Sequence, residues 1–199
     1  NDAENDSHGQ RGEAMLDLIK TIKLENSREL SPVFNQVDTL KFAAGGHSMS
    51  GGAAVNAALL DSSQVLSAII SLNPTVIFED CDLCNGSEYC ICFVPEFVDN
   101  QTVPILIISG EDEVLELTSY DGMLGIDLYE NHPATTTKMI YEVENGNHSS
   151  AEFPQMGPIT NLPLNWLKYH LMDSLEICSD LLGEEPENAS VFNSTLECI

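Results

Sequence analysis

The segment Gly46-His47-Ser48-Met49-Ser50-Gly51-Gly52 joins residue types that acyl-transfer chemistry uses. A serine hydroxyl acting as a nucleophile must stand clear of its own backbone. A sharp strand-to-helix turn achieves this when the residues two positions to either side are small. Gly46 and Ser50 meet that condition, with Ser50 in place of the more usual glycine. A helix starting just beyond aims backbone N–H groups and a partial positive charge at the same point, which makes the Met49 N–H a candidate donor to a tetrahedral oxyanion. The same letters also fit a glycine-rich turn in a non-catalytic domain.

A serine hydroxyl at its ordinary pKa is a poor nucleophile, so a base must take its proton and a carboxylate must orient that base. Asp112 lies in Ser109-Gly110-Glu111-Asp112-Glu113-Val114, just after an apolar run, where catalytic side chains of an open α/β sheet collect. The pattern Gly-x-Asp-x-Val favours Asp112 as the orienting acid. Its rivals within one residue, Glu111 and Glu113, are read as solvated loop charges. His148, in Asn145-Gly146-Asn147-His148-Ser149, is the candidate base. Of the other histidines, His8 stands in a polar leader, His47 points away if Ser48 is exposed, His132 is in a loop and His170 in a helix. The order Ser48, Asp112, His148, each after its own strand, is that of a hydrolase sheet.

The elements that must position these residues follow from periodicity. Met15, Leu16, Ile19 and Ile22 make the apolar stripe of a helix over 12–23. Residues 38–46 run through Leu40, Phe42 and Ala44 into two glycines, as a short buried strand does, and 51–60 continue as a small-residue helix packed close to a sheet. Strands are expected over 65–72, ending at Asn73-Pro74, over 103–109, and over 138–143. A helix is expected over 163–173, with Leu164, Trp166, Leu167 and Leu171 inward. Alternating strands and helices give an α/β class: a mostly parallel sheet with helices on both faces.

Seven Lys and Arg against 32 Asp and Glu leave a net charge of −25, which repels nucleic acid phosphates and anionic lipid. No apolar run approaches the roughly 20 residues of a membrane span, and no leader opens the chain. The Asn1 start suggests a processed product or a fragment. Six N-x-S/T triplets, at Asn5, Asn85, Asn100, Asn147, Asn188 and Asn193, exceed the roughly two that composition gives by chance. Asn85, Asn100, Asn188 and Asn193 are taken as glycosylation candidates, and with six cysteines they favour secretion through an oxidising compartment. Oligomeric state is not readable.

Taken together, these motifs resemble the α/β-hydrolase superfamily, and within it the secreted polyester hydrolases and bacterial cutinases, with dienelactone-hydrolase-like and chlorophyllase-like relatives. The resemblance spans about Asp2 to Asp173. It rests on Val37-Asp38-Thr39, Gly46-His47-Ser48-Met49 with Gly51-Gly52, Val103-Pro104-Ile105-Leu106-Ile107 leading to Asp112, Gly146-Asn147-His148-Ser149, and Trp166-Leu167-Lys168. It implies an ester hydrolase working through an acyl-enzyme on Ser48, with His148 and Asp112, no cofactor, and a small-molecule or polymeric ester as substrate. Its alternative is a non-catalytic extracellular module on the same fold.

Enzymes that look like this carry further strands ahead of the point where this chain begins, and a loop there supplies the second oxyanion donor. The resemblance therefore implies a hydrolase domain over 1–175 that holds the fold from the elbow strand onward, weakly active or inactive by itself. Polyester-cleaving relatives have a tryptophan where this chain reads Leu72-Asn73-Pro74-Thr75, so the resemblance does not extend to aromatic polyesters.

Cysteine spacing alone does not give the pairing. Cys81, Cys84, Cys90 and Cys92, inside the long loop 78–100, are read as two disulfides in preference to a zinc site, because Cys-x-Cys matches zinc ribbons poorly. Cys178 and Cys198 are then expected to pair, stapling a tail over 176–199 to the domain, as similar enzymes often do.

Overall fold

The computed structural model describes residues 8–78, 92–93, 98–118, 124–152, 161–183 and 186–198. Its main sheet has five strands. β1 (Phe42–His47), β2 (Leu66–Leu72), β5 (Ile105–Gly110) and β6 (Lys138–Val143) run parallel in that spatial order, and β7 (Ala189–Ser194) closes one edge antiparallel to β6. A second, two-stranded sheet pairs β3 (Ile77–Phe78) with β4 (Cys92–Phe93). The helices are α1 (His8–Ser27), α2 (Met49–Leu60), α3 (Glu113–Glu116), α4 (Gly125–Asn131), α5 (Asn161–Met172) and α6 (Cys178–Leu181).

The central strand β5 shows why the sheet is covered twice. All six of its residues are buried, and its side chains alternate between faces as a period of two demands. Ile105 and Ile107 join one core with Ile69, Ile140, Ile19 of α1, Val55 of α2 and Leu128 of α4. Leu106 and Ile108 join the other with Met139, Tyr141, Trp166 of α5 and Leu181 of α6. An α/β fold with helices on both faces follows directly from that alternation.

Small residues set the distance between layers near the site. A Cβ on Gly12 of α1 would fall 2.8 Å from the Asn56 side chain and 3.1 Å from the Ala53 carbonyl of α2. Gly51, Gly52, Ala53, Ala54 and Ala57 of α2 are buried, so this helix packs by close approach instead of by large side chains.

Several expected elements differ in extent or role. α1 starts earlier and ends later than its apolar stripe. In α5 the inward residue is Trp166, fully buried, while Leu164 is 48% exposed; two helical positions apart is about 200° around the axis, so the two cannot face the same way. The tail 176–199 is more than an attachment. It supplies β7, which pairs with β6 along Met139–Ser194 through Val143–Ala189, and the Cys178–Cys198 disulfide joins α6 to the segment after that strand.

Tyr141 of β6 donates its hydroxyl to the Asn188 side-chain oxygen at 2.5 Å. Asn100 and Asn193 are exposed. Cys81, Cys84, Cys90 and Asn85 lie outside the described residues, as does the side chain of Cys92. No helix among the described residues is long and apolar enough to cross a membrane.

Candidate active site

β1 ends at His47 and α2 begins at Met49, so Ser48 alone makes the turn. Its backbone sits at φ 57°, ψ −126°, a region L-residues rarely occupy and one that costs on the order of 1–3 kcal/mol. The turn is held by the Ser48 N–H donating to the Leu72 carbonyl at 2.9 Å and by the Ser48 carbonyl accepting from Gly51 at 2.8 Å. Ser48 occupies the N-cap position of α2, yet its hydroxyl makes no cap bond. The hydroxyl lies 2.9 Å from His148 Nε2 instead.

The crowding behind this turn accounts for its small residues. A Cβ on Gly46 would lie 2.5 Å from Ser50 Cβ and 2.6 Å from the Ser50 carbonyl carbon, so Gly46 cannot carry one. Ser50, the departure from the usual glycine, has a specific partner: its hydroxyl accepts from Arg11 Nη1 of α1 at 2.7 Å. As the first helical residue, Met49 has an N–H with no intrahelical acceptor.

His148 lies in the loop after β6. Its Nδ1 is 2.6 Å from Glu113 Oε1. A carboxylate only accepts, so Nδ1 carries the proton and Nε2 presents its lone pair to the serine hydroxyl. Glu113 is 1% exposed, and its second oxygen accepts the Gly110 N–H at 2.9 Å, so both carboxylate oxygens are satisfied.

This corrects the expected acid. Asp112 is half-buried and its carboxylate makes no hydrogen bond to His148; its contribution is the backbone N–H that donates to the Gly146 carbonyl at 2.7 Å. The physical reason is α3. The helix begins at Glu113, and the longer glutamate side chain reaches inward from that first turn to the imidazole. Glu111, read as solvated, is exposed but accepts the Asn145 N–H at 2.8 Å, joining the acid loop to the histidine loop. A Cβ on Gly110 would lie 2.5 Å from the Gly146 carbonyl, so these loops are in backbone contact.

Three further residues hold the histidine loop, and sequence reasoning passed over their roles. Asn73, fully buried and at φ 40°, accepts the Ala151 N–H at 2.9 Å and donates to the Asn147 carbonyl at 3.3 Å. Glu116 accepts the His148 N–H at 2.9 Å. His47 does not point away: its Nε2 donates to the His148 carbonyl at 2.7 Å, and the two rings stand 5.0 Å apart. The Asn-Pro strand stop was the only sequence signal for this set, and it marks Asn73 as a turn residue without revealing what it bonds.

Electrostatics push the His148 pKa above the ordinary histidine value. The Glu113 hydrogen bond is the largest cause, burial opposes it, and the charges of Glu113, Glu116 and Glu152 add to it. His132 and His170 go the other way, both down to about 4, because burial disfavours their charged forms. Neither contacts Ser48. Among the described residues, no group of three or more His, Cys, Asp or Glu side chains is placed to hold a metal ion.

Comparison with models of known protein families gives no match, and neither does comparison with curated protein sequences.

Proposed function

We propose that this protein is a secreted serine hydrolase of the α/β-hydrolase type that cleaves carboxylic esters through an acyl-enzyme. The observation that carries the reading is the continuous chain Ser48 Oγ to His148 Nε2 at 2.9 Å and His148 Nδ1 to Glu113 Oε1 at 2.6 Å, centred on a serine in a strained strand-to-helix turn.

In the proposed reaction, Ser48 Oγ attacks the ester carbonyl carbon while its proton passes to His148 Nε2. The oxyanion accepts the Met49 N–H at the start of α2. Collapse breaks the bond to the alcohol oxygen, which leaves with the proton from Nε2. Water then attacks the acyl-serine and gives its proton to Nε2, and the second collapse releases the acid and returns the proton to Ser48. Glu113 keeps the imidazole in the required tautomer and stabilises the imidazolium. The Cys178–Cys198 disulfide and the exposed sequons at Asn100 and Asn193 support the secreted part of the reading.

The test is hydrolysis of p-nitrophenyl acetate and butyrate by the chain and by Ser48→Ala. The proposal expects turnover that Ser48→Ala removes. Hydrolysis that survives Ser48→Ala removes Ser48 as the nucleophile, and none in either protein favours the non-catalytic module instead.

A further inference from the structure

His148 is held at its backbone as well as its ring. His47 Nε2 donates to its carbonyl at 2.7 Å from the end of β1, and Glu116 Oε2 accepts its N–H at 2.9 Å from α3. Two side chains from different elements thus grip the two backbone polar groups of one loop residue. Both gripping residues adjoin the groups they serve, since His47 precedes Ser48 in the chain and Glu116 lies one helical turn after Glu113.

We propose that His47 and Glu116 are positioning residues that clamp the His148 backbone, fixing the imidazole between Ser48 and Glu113. This rests on the serine-hydrolase reading of the same site. The chemistry fits the task. A loop after a strand has no ladder to hold it, and a shift of about 1 Å in a catalytic group costs roughly 10²-fold in rate. In the clamp, β1 fixes both the nucleophile and, through His47, the carbonyl of the base, so the distance between Ser48 and His148 is set by one strand end. α3 likewise fixes both the acid and, through Glu116, the N–H of the base.

The groups facing the clamp are consistent with this assignment. His47 Nε2 has Glu152 Oε1 at 3.7 Å, so its side chain lies between a carbonyl and a carboxylate, two acceptors that both call for a donor at Nε2. Glu116 is exposed and could solvate freely, yet its oxygen is bound to the one backbone N–H that belongs to the base.

The experiment compares His47→Ala, His47→Gln, Glu116→Ala and Glu116→Gln in ester hydrolysis, and follows the His148 Nδ1 proton by NMR. Each alanine variant should lower kcat roughly tenfold with KM nearly unchanged, each amide variant should recover most of the loss by keeping a donor or acceptor, and the far-downfield Nδ1 proton should broaden in the alanine variants only. Glu116→Gln, which removes a charge but keeps the bond, should move the pH inflection of kcat/KM downward while leaving its plateau. Alanine variants with unchanged kcat and a sharp Nδ1 proton would overturn the clamp, as would amide variants no better than alanine. The NMR arm does not need turnover. If the wild-type chain fails to hydrolyse esters but its Nδ1 proton still broadens in His47→Ala and Glu116→Ala, the clamp stands and the hydrolase reading falls.

Discussion

The activity of His148 depends on which carboxylate serves it, and the two neighbours Asp112 and Glu113 differ in this. Glu113→Gln keeps the shape of the side chain but lets the imidazole adopt the wrong tautomer, a change worth roughly 10⁴-fold in turnover for a buried triad acid. Asp112→Asn, which alters a side chain that makes no hydrogen bond to the base, should leave kcat within a few-fold of wild type. A steady-state assay of the two variants separates these roles.

The pH profile carries the same information. His148 must be neutral to accept the serine proton, and its pKa lies above the ordinary value of 6.5, so kcat/KM should rise with pH through an inflection above that value. Because the folded-state pKa is raised, the contribution of this group to stability is fully present below the unfolded value and is lost as pH rises through the folded one. The protein is thus predicted to be most active where its His148–Glu113 pair contributes least to stability. Residue types and order in the sequence were enough to single out Ser48 and His148, whose side chains lie 2.9 Å apart. Three consecutive acids in one turn were not separable there, since only the start of α3 decides which of them faces inward.

The elements make a second set of demands. Gly46→Ala would put a methyl group 2.5 Å from Ser50 Cβ, on backbone that cannot retreat, so this variant is expected to lose soluble yield or, if folded, to lose the Ser48 geometry. Circular dichroism and hydrolysis of purified material distinguish the two outcomes. The Cys178–Cys198 bond closes a separation of 20 residues around β7, and a Cys178→Ser, Cys198→Ser double variant should be less stable by about 3 kcal/mol in urea titration. Below its melting temperature that variant should retain turnover, because β7 lies at the sheet edge beyond β6 and takes no part in the hydrogen bonds that join Ser48, His148 and Glu113.

Strand β5 was legible in the sequence because its continuous apolar run can be satisfied only by burial on both faces, and β2 because its mostly apolar residues stop at Asn73-Pro74. β7 was not. Ala-Ser-Val-Phe-Asn-Ser is half polar, as an edge strand is, and its pairing depends on a partner fifty residues earlier. α3 and α4, at four and seven residues, are too short for a helical period to emerge.

For the whole molecule the dominant quantity is charge. A net −25 makes the folded state repel itself, and every compact arrangement of this chain carries that cost. Raising salt from about 0.01 M to about 1 M shortens the screening length from about 30 Å to about 3 Å, so the thermal midpoint at neutral pH should climb over that range. Differential scanning calorimetry in chloride salts measures it, and a falling midpoint would show that ion pairs outweigh repulsion. That outcome is disfavoured by the small number of cations, several of which sit in exposed pairs such as Lys20–Asp17 and Arg28–Glu25.

Covalent labelling decides whether Ser48 is a nucleophile activated by His148. Incubation with a fluorophosphonate followed by intact-mass analysis and peptide mapping should show one adduct, on Ser48, with the rate of labelling rising with pH and falling sharply in Glu113→Gln. No adduct, or an adduct that persists in Ser48→Ala, would show that Ser48 is not an activated nucleophile.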